Sequence, residues 1–325
     1  MRRFLPDQFT LLLVATVALA SLLPVTGVAA GWFSIATKCA IALLFFLQGA
    51  RLSRQVVIGG LLHWRLHLTI LATTFGVFPL LGYGIAHLLP FELPDGMMAG
   101  ILFIAVLPST VQSSIAFTSM AGGNVPAAIC AATASNIVGM FATPLLIGIL
   151  LSASGGGGGF SFDVLYQILL QLLLPFIVGQ LLMPWIGDWV RSHKKILSPV
   201  DRGSILMVVY LAFSTAVAEG LWHQLSLADL GELVIINAAM LAVVLTLTMF
   251  GSRALGFSRA DEIAIVFCGS KKSLASGVPM AGAIFAGQSV GAVVLPLMLF
   301  HQMQLMICAV IAQHYARTAL ETVEA

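Results

Sequence analysis

The sequence predicts an all-α polytopic membrane protein: ten transmembrane helices in two inverted five-helix repeats. Three observations predict it. Hydrophobic residues make up 59% of the 325-residue chain and charged residues only 9%, against about 25% charged in a soluble domain. So much apolar surface fits a bilayer, not a soluble core. Apolar windows long enough to span recur between short polar spacers, and lysine and arginine gather on one side of them.

The windows lie at 9–30, 33–50, 66–89, 96–121 and 124–151, then at 163–186, 203–221, 230–252, 261–285 and 289–313. The first follows Met1-Arg2-Arg3 and, up to Ala18-Leu19-Ala20-Ser21, has the look of a cleavable signal peptide. A retained first span is the better reading, because the repeat needs this helix. With the N-terminus in the cytoplasm, the cytoplasmic side receives Arg2, Arg3, Arg51, Arg54, Arg65, Arg191, Lys194, Lys195, Arg202, Arg253, Arg259 and Arg317. The outer side receives none, a positive-inside pattern that places both termini in the cytoplasm. Short loops and the lack of organellar targeting features point to the inner (plasma) membrane of a bacterium.

Five windows precede the run Ser152-Ala153-Ser154-Gly155-Gly156-Gly157-Gly158-Gly159 and five follow it. Its composition is that of a flexible linker. Residues 1–151 therefore form the first repeat, 152–162 the linker and 163–325 the second repeat. Five is odd, so the second unit inserts in the opposite orientation, as in secondary transporters.

Several functions are excluded. No basic run or aromatic–basic interleaving suggests nucleic acid. No HExxH, GxSxG or paired acids at catalytic spacing suggest an enzyme, a metal site or a cofactor. Cys39, Cys130, Cys268 and Cys308 fall in apolar segments and read as small buried residues. Of the thirteen carboxylates, Glu219 reads as the deepest, near the outer end of span seven. Lys38 lies close to the end of span two and snorkels. Gly27/Gly31, Gly96/Gly100 and Gly287/Gly291 read as helix-packing pairs. The lipid bilayer is the one partner composition specifies, and nothing specifies an oligomeric state.

Spans four and nine each carry a polar cluster near the middle. Span four holds Pro108, Ser109, Thr110, Gln112, Ser113 and Ser114; span nine holds Gly269, Ser270, Lys271, Lys272 and Ser273. At a 1.5 Å rise per residue, Pro108 lies roughly 20 Å into its helix and Lys271 roughly 15–18 Å into its own. Such clusters at matching depth in two repeats point to broken helices around a binding site, with Pro108 and Gly269 at the breaks. The second half-helices begin near Gln112 and Ser273, and their N-termini suit an anion. Each lysine at mid-bilayer costs roughly 2.5–3.5 kcal/mol. The pair reads as functional, by pairing with an anion or releasing a proton, or as a structural pin bonded to carbonyls. His301, Gln302 and Gln304 lie mid-span in helix ten, at the depth of Thr133 and Asn136 in helix five.

The plan resembles that of the bile acid:sodium symporter family. Leu107-Pro108-Ser109-Thr110, Gly123-Asn124 and Thr143-Pro144-Leu145 carry the likeness across nearly the whole chain. Leu43–Leu52 and Lys272-Ser273-Leu274-Ala275 look most like its YfeH-like branch, which includes the seventh vertebrate member. The resemblance implies a panel domain of spans 1, 2, 6 and 7 and a core domain of spans 3–5 and 8–10. In the core, discontinuous helices 4 and 9 would cross at the midplane. It implies alternating-access transport of a small organic anion, with Na+ as the possible coupling ion. Sodium ligands map onto Ser113-Ser114, onto Thr133 with Ser135 and Asn136 close by, and onto Thr74. The family's glutamate position reads Phe267 or Cys268, and its glutamine position reads Lys271. A cation has replaced a ligand there. Two other readings stay open: a non-transporting membrane regulator of ion homeostasis, and a cation/proton antiporter of similar fold.

Overall fold

The structure, a computed structural model, describes residues 8–51, 63–88, 93–153, 162–286 and 290–324. Every regular element among them is helical. Seven helices are long and apolar enough to cross a membrane, so the chain is a multi-pass α-helical membrane protein, as composition predicts. Arg2, Arg3, Arg54, Gly287 and the glycine run at 154–161 lie outside the described residues.

The first half comprises α1 (Gln8–Leu22), α2 (Gly27–Arg51), α3 (Trp64–Leu88), α4 (Asp95–Val106), α5 (Gln112–Met120) and α6 (Val125–Ala153). α1 stops just short of Pro24, which disfavours helical backbone in the residue before it. Gly27 then takes φ +63°, a left-handed turn open to glycine, and α2 begins. The apolar window at 9–30 is thus divided between two helices.

The second half comprises α7 (Phe162–Ser192), α8 (Lys194–Ala218), one turn at Leu221–Gln224, α9 (Leu227–Ala254), α10 (Arg259–Gly269), α11 (Leu274–Ile284) and α12 (Val290–Glu324). α7 and α8 run well past their apolar windows. The spacer carrying Arg191 and Arg202 is helical almost throughout, because basic straight-chain residues favour helix although they leave the apolar pattern.

α2 packs chiefly on α7, α1 on α8, and α4 on α12. The α2–α7 contact is backbone to backbone. A Cβ on Gly49 would fall onto the carbonyl oxygen of Phe176, and one on Gly179 onto that of Phe46. Gly49→Val is therefore expected to destabilise the protein by about 1–3 kcal/mol, the cost of overpacking, read as a lower unfolding midpoint in detergent. Gly96 and Gly100 likewise bring α4 onto Ala292 and Val293 of α12. A Cβ on Gly27 or Gly31 would meet nothing within 4 Å among the described residues, so neither makes a close helix contact there, contrary to expectation.

One further expectation is corrected. All four cysteines are free, but only Cys268 and Cys308 are buried; Cys39 is exposed on the surface of α2 and Cys130 is half-buried. Glu219 caps the exposed end of α8. Among the described residues the buried carboxylate is Glu262, in the first turn of α10, where one oxygen accepts from Arg253, Arg259 and the Tyr315 hydroxyl. Arginines close in sequence on α9 and α10 make that burial possible, and a depth count along a single helix does not see them. Lys38 is exposed, in keeping with a snorkelling side chain.

Candidate functional site

Two helices break and their breaks meet. α4 ends at Val106 because Pro108 follows: it removes a donor and drives Leu107 into extended backbone, at φ −70° and ψ 151°. The chain resumes helix at Gln112. α10 ends at Gly269, and α11 starts behind Ser273, whose Oγ caps the helix by accepting from the Ser276 N–H at 3.1 Å. The Ser273 N–H donates to the Pro108 carbonyl at 2.9 Å. The Ser114 hydroxyl donates to the Phe267 carbonyl at 2.8 Å.

α6 holds the first break from behind. Ser135 Oγ accepts from the Ser109 N–H at 3.0 Å, and Asn136 Nδ2 donates to the Ser109 carbonyl at 2.8 Å. Asn136 Oδ1 accepts from the Ser276 hydroxyl at 2.7 Å, so one side chain ties α6, the first break and α11 together. Thr143 Oγ1 donates to the freed Val106 carbonyl at 2.8 Å. The Pro108 ring lies on Gly139, where a Cβ would come within 2.7 Å of it.

Both lysines are fully buried, in different surroundings. Lys272 Nζ donates to three backbone carbonyls, of Leu107 at 2.8 Å, Thr74 at 2.9 Å and Ala105 at 3.0 Å. The Phe78 ring covers it at 3.9 Å. Its peptide group is clamped by Gln304, which accepts from the Lys272 N–H at 2.8 Å and donates to the Lys272 carbonyl at 2.9 Å. The Thr74 carbonyl is available because α3 opens into a π turn at Thr73–Val77. There the Phe78 N–H bonds Thr73 in place of Thr74. Lys271 Nζ finds no acceptor among the described residues. It lies 3.7 Å above the Phe117 ring and 5.5 Å from that of Phe267, a cation–π environment.

A cavity of about 560 Å³ opens beside the breaks. Thr110, Gln112, Ser113, Thr133, Asn136, Ser273 and His301 line it, so seven of the sequence-predicted site residues meet there. Gln112 and Ser113 are the first residues of α5, and Leu274 and Ala275 those of α11; both first turns border the cavity. Thr74, Pro108, Ser109, Ser114, Gly269, Ser270, Lys271, Lys272 and Gln302 do not line it. They form the layer behind, where Ser270 Oγ donates back to Val266 at 2.6 Å. Gln302 Oε1 is buried with no partner among the described residues, and the Nδ1 of its neighbour His301 lies 2.8 Å from Gln304 Nε2.

The opposite wall comes from α2, α7 and α8, and it supplies residues that the sequence did not single out. Arg51, Arg191 and Arg202 face the cavity with Asp201, which pairs with Arg51. Arg51 Nε and Arg191 Nη1 are buried without an acceptor among the described residues. Leu44, Phe176, Met140 and Ile205 make the intervening surface apolar. The arginines carry a topology signal in the sequence, which hides their second position on a cavity wall.

Interrupted helices joined at their breaks, beside a cavity with one polar and one basic wall, define a multi-pass membrane protein with a cavity at its helix breaks. The model of the SBF-like CPA transporter family matches residues 7–317, and the chain belongs to that family. It is 56% identical to an uncharacterized protein of Pseudomonas aeruginosa over 97% of this chain and 94% of that one. It is 50% identical to YfeH of Escherichia coli over 96% and 93% of the two chains. It is 27% identical to sodium/bile acid cotransporter 7 of Rattus norvegicus, again over 96% and 93%. These relatives bear out the resemblance to the YfeH-like branch, and the family is one of transporters, not enzymes.

Proposed function

We propose that the chain is a secondary active transporter of a small organic anion, driven by an ion gradient and working by alternating access. One observation carries this reading: the first turns of α5 and α11 and three arginines face one cavity of about 560 Å³. Helix N-termini and guanidinium groups both favour an anion, and the apolar wall between them suits an organic body. The seven long helices, α1 and the two interrupted pairs α4/α5 and α10/α11 support the ten-span count. α1, α2, α7 and α8 would form the panel and the remaining helices the core, in two inverted repeats, with spans four (α4/α5) and nine (α10/α11) crossing at the midplane. The one-sided lysine and arginine pattern supports cytoplasmic termini in an inner membrane. The rat relative's name pairs sodium with bile acid, which supports Na+ as the coupling ion. An antiporter needs a titrating carboxylate within the spans; the buried Glu262 is already held by two arginines and a tyrosine.

Proteoliposomes screened with labelled organic anions, under imposed sodium or proton gradients, test the reading. Concentrative uptake of an anion is expected. Arg51→Ala and Arg191→Ala are each expected to raise KM by roughly 10–100-fold, the worth of a charged hydrogen bond. An absence of gradient-driven uptake across the screen would overturn the reading.

A further inference from the structure

We propose that the junction of the two breaks is a binding site for a monovalent cation, and that the chain fills it with its own Lys272 ammonium. Three oxygens converge on Nζ at 2.8–3.0 Å, and all three are backbone carbonyls. None of the contacts is a carboxylate. The charge is held by carbonyl dipoles and the face of the Phe78 ring, and carbonyl oxygens are the groups that ion filters use in place of a hydration shell. The chain gives up regular helix to build this arrangement. The π turn releases the Thr74 carbonyl from α3, and the break after Val106 leaves the Ala105 and Leu107 carbonyls without helical donors. Thr74 Oγ1, on a residue that already supplies a carbonyl, is a further hard oxygen, buried with no partner among the described residues. The separations are those of an ammonium or potassium-sized ion; the smaller sodium ion would have to draw the carbonyls inward.

A tethered cation cannot leave, so the site is occupied whatever the ion composition on either side. The breaks of this chain therefore hold together without a dissolved cation at this point. Any coupling ion acts elsewhere.

The test uses the purified full-length protein and thermal unfolding at constant ionic strength in choline, sodium, potassium, ammonium or n-propylammonium chloride. The wild type is expected to unfold at one midpoint in choline, potassium, ammonium and n-propylammonium, and any shift in sodium, from a coupling-ion site elsewhere, is expected equally in Lys272→Gln. Lys272→Ala opens the site while Gln304 still clamps the peptide. Its midpoint is expected to fall in choline and to recover, saturably, in potassium, ammonium and propylammonium, with sodium weaker. The upward shift is about 5–10 °C at a hundred times the apparent Kd. Lys272→Gln keeps the length and removes the charge. It is expected to lose stability in every salt without recovery, and it serves if the alanine variant does not fold. The proposal is overturned if Lys272→Ala responds to all salts as to choline, if Lys272→Gln matches the wild type, or if potassium raises the wild-type midpoint above that in choline. The readout needs no substrate, so a failure to find anion uptake bears on the transporter reading alone.

Discussion

Lys271→Met is expected to make the protein more stable and to impair transport. Lys271 Nζ is fully buried and has no hydrogen-bond acceptor among the described residues. The Phe117 ring at 3.7 Å is its best partner. An amino group so placed costs stability in either protonation state, because neither form recovers its bonds to water. Methionine has nearly the same length, and its thioether packs well on aromatic rings, here Phe117 and Phe267. Replacing buried charged groups by apolar residues of like volume has gained about 1–4 kcal/mol in other proteins, and a gain in that range is expected in denaturant unfolding. A group that costs this much in one state is retained for what it does in another. Uptake in proteoliposomes should therefore fall at least about tenfold while the midpoint rises. A less stable methionine variant would show that Lys271 is a structural pin after all. Its neighbour has the opposite sign: loss of the Lys272 side chain strands three carbonyls.

Asn136→Leu is expected to do the reverse of Lys271→Met and lower stability and transport together. The Asn136 amide donates to Ser109 in the first break and accepts from Ser276 in α11. Leucine fills the volume, strands the Ser109 carbonyl and leaves the Ser276 hydroxyl with its contact to Ser273 Oγ. A stranded buried group costs about 1–3 kcal/mol, and a loss in that range is expected. The same side chain borders the cavity, so the variant's uptake should fall beyond what its lower folded fraction explains. Circular dichroism melting and uptake normalised to folded protein separate the two effects. A variant with wild-type stability would mean that water replaces the amide and that the breaks are held by Ser135 and the backbone contacts alone.

The breaks were legible in the sequence because their cause is local. Pro108 allows one outcome for the residue before it, and α5 and α11 begin at Gln112 and behind Ser273, where the polar clusters predict. The lysines were legible as a pair but not as individuals. Adjacent side chains on any backbone point apart, and which one meets carbonyls depends on α3, nearly two hundred residues away in the chain. Nothing in Thr73-Thr74-Phe75-Gly76-Val77 signals a π turn, so the Thr74 backbone carbonyl could not be foreseen; its hydroxyl, the expected ligand, stays unpartnered. Arg51, Arg191 and Arg202 were visible as cytoplasmic charges, and the same charge serves a loop or a cavity wall. Ser276 gave no signal beyond its small size.

The π turn has a second effect, on angle. Leu66, Ile70, Thr74, Phe78 and Gly82 recur every four residues along α3, and all are buried. On a regular helix a stripe of period four drifts by about 160° over those sixteen residues, and its far end would face lipid. The wider turn rotates less per residue and cancels more than half of that drift. One flank of α3 can therefore rest on α6 and α10 near its start and on α4 and α9 near its end. The kink in hydrogen bonding that frees a carbonyl for Lys272 is also the phase correction that lets a single helix run along both halves of the core.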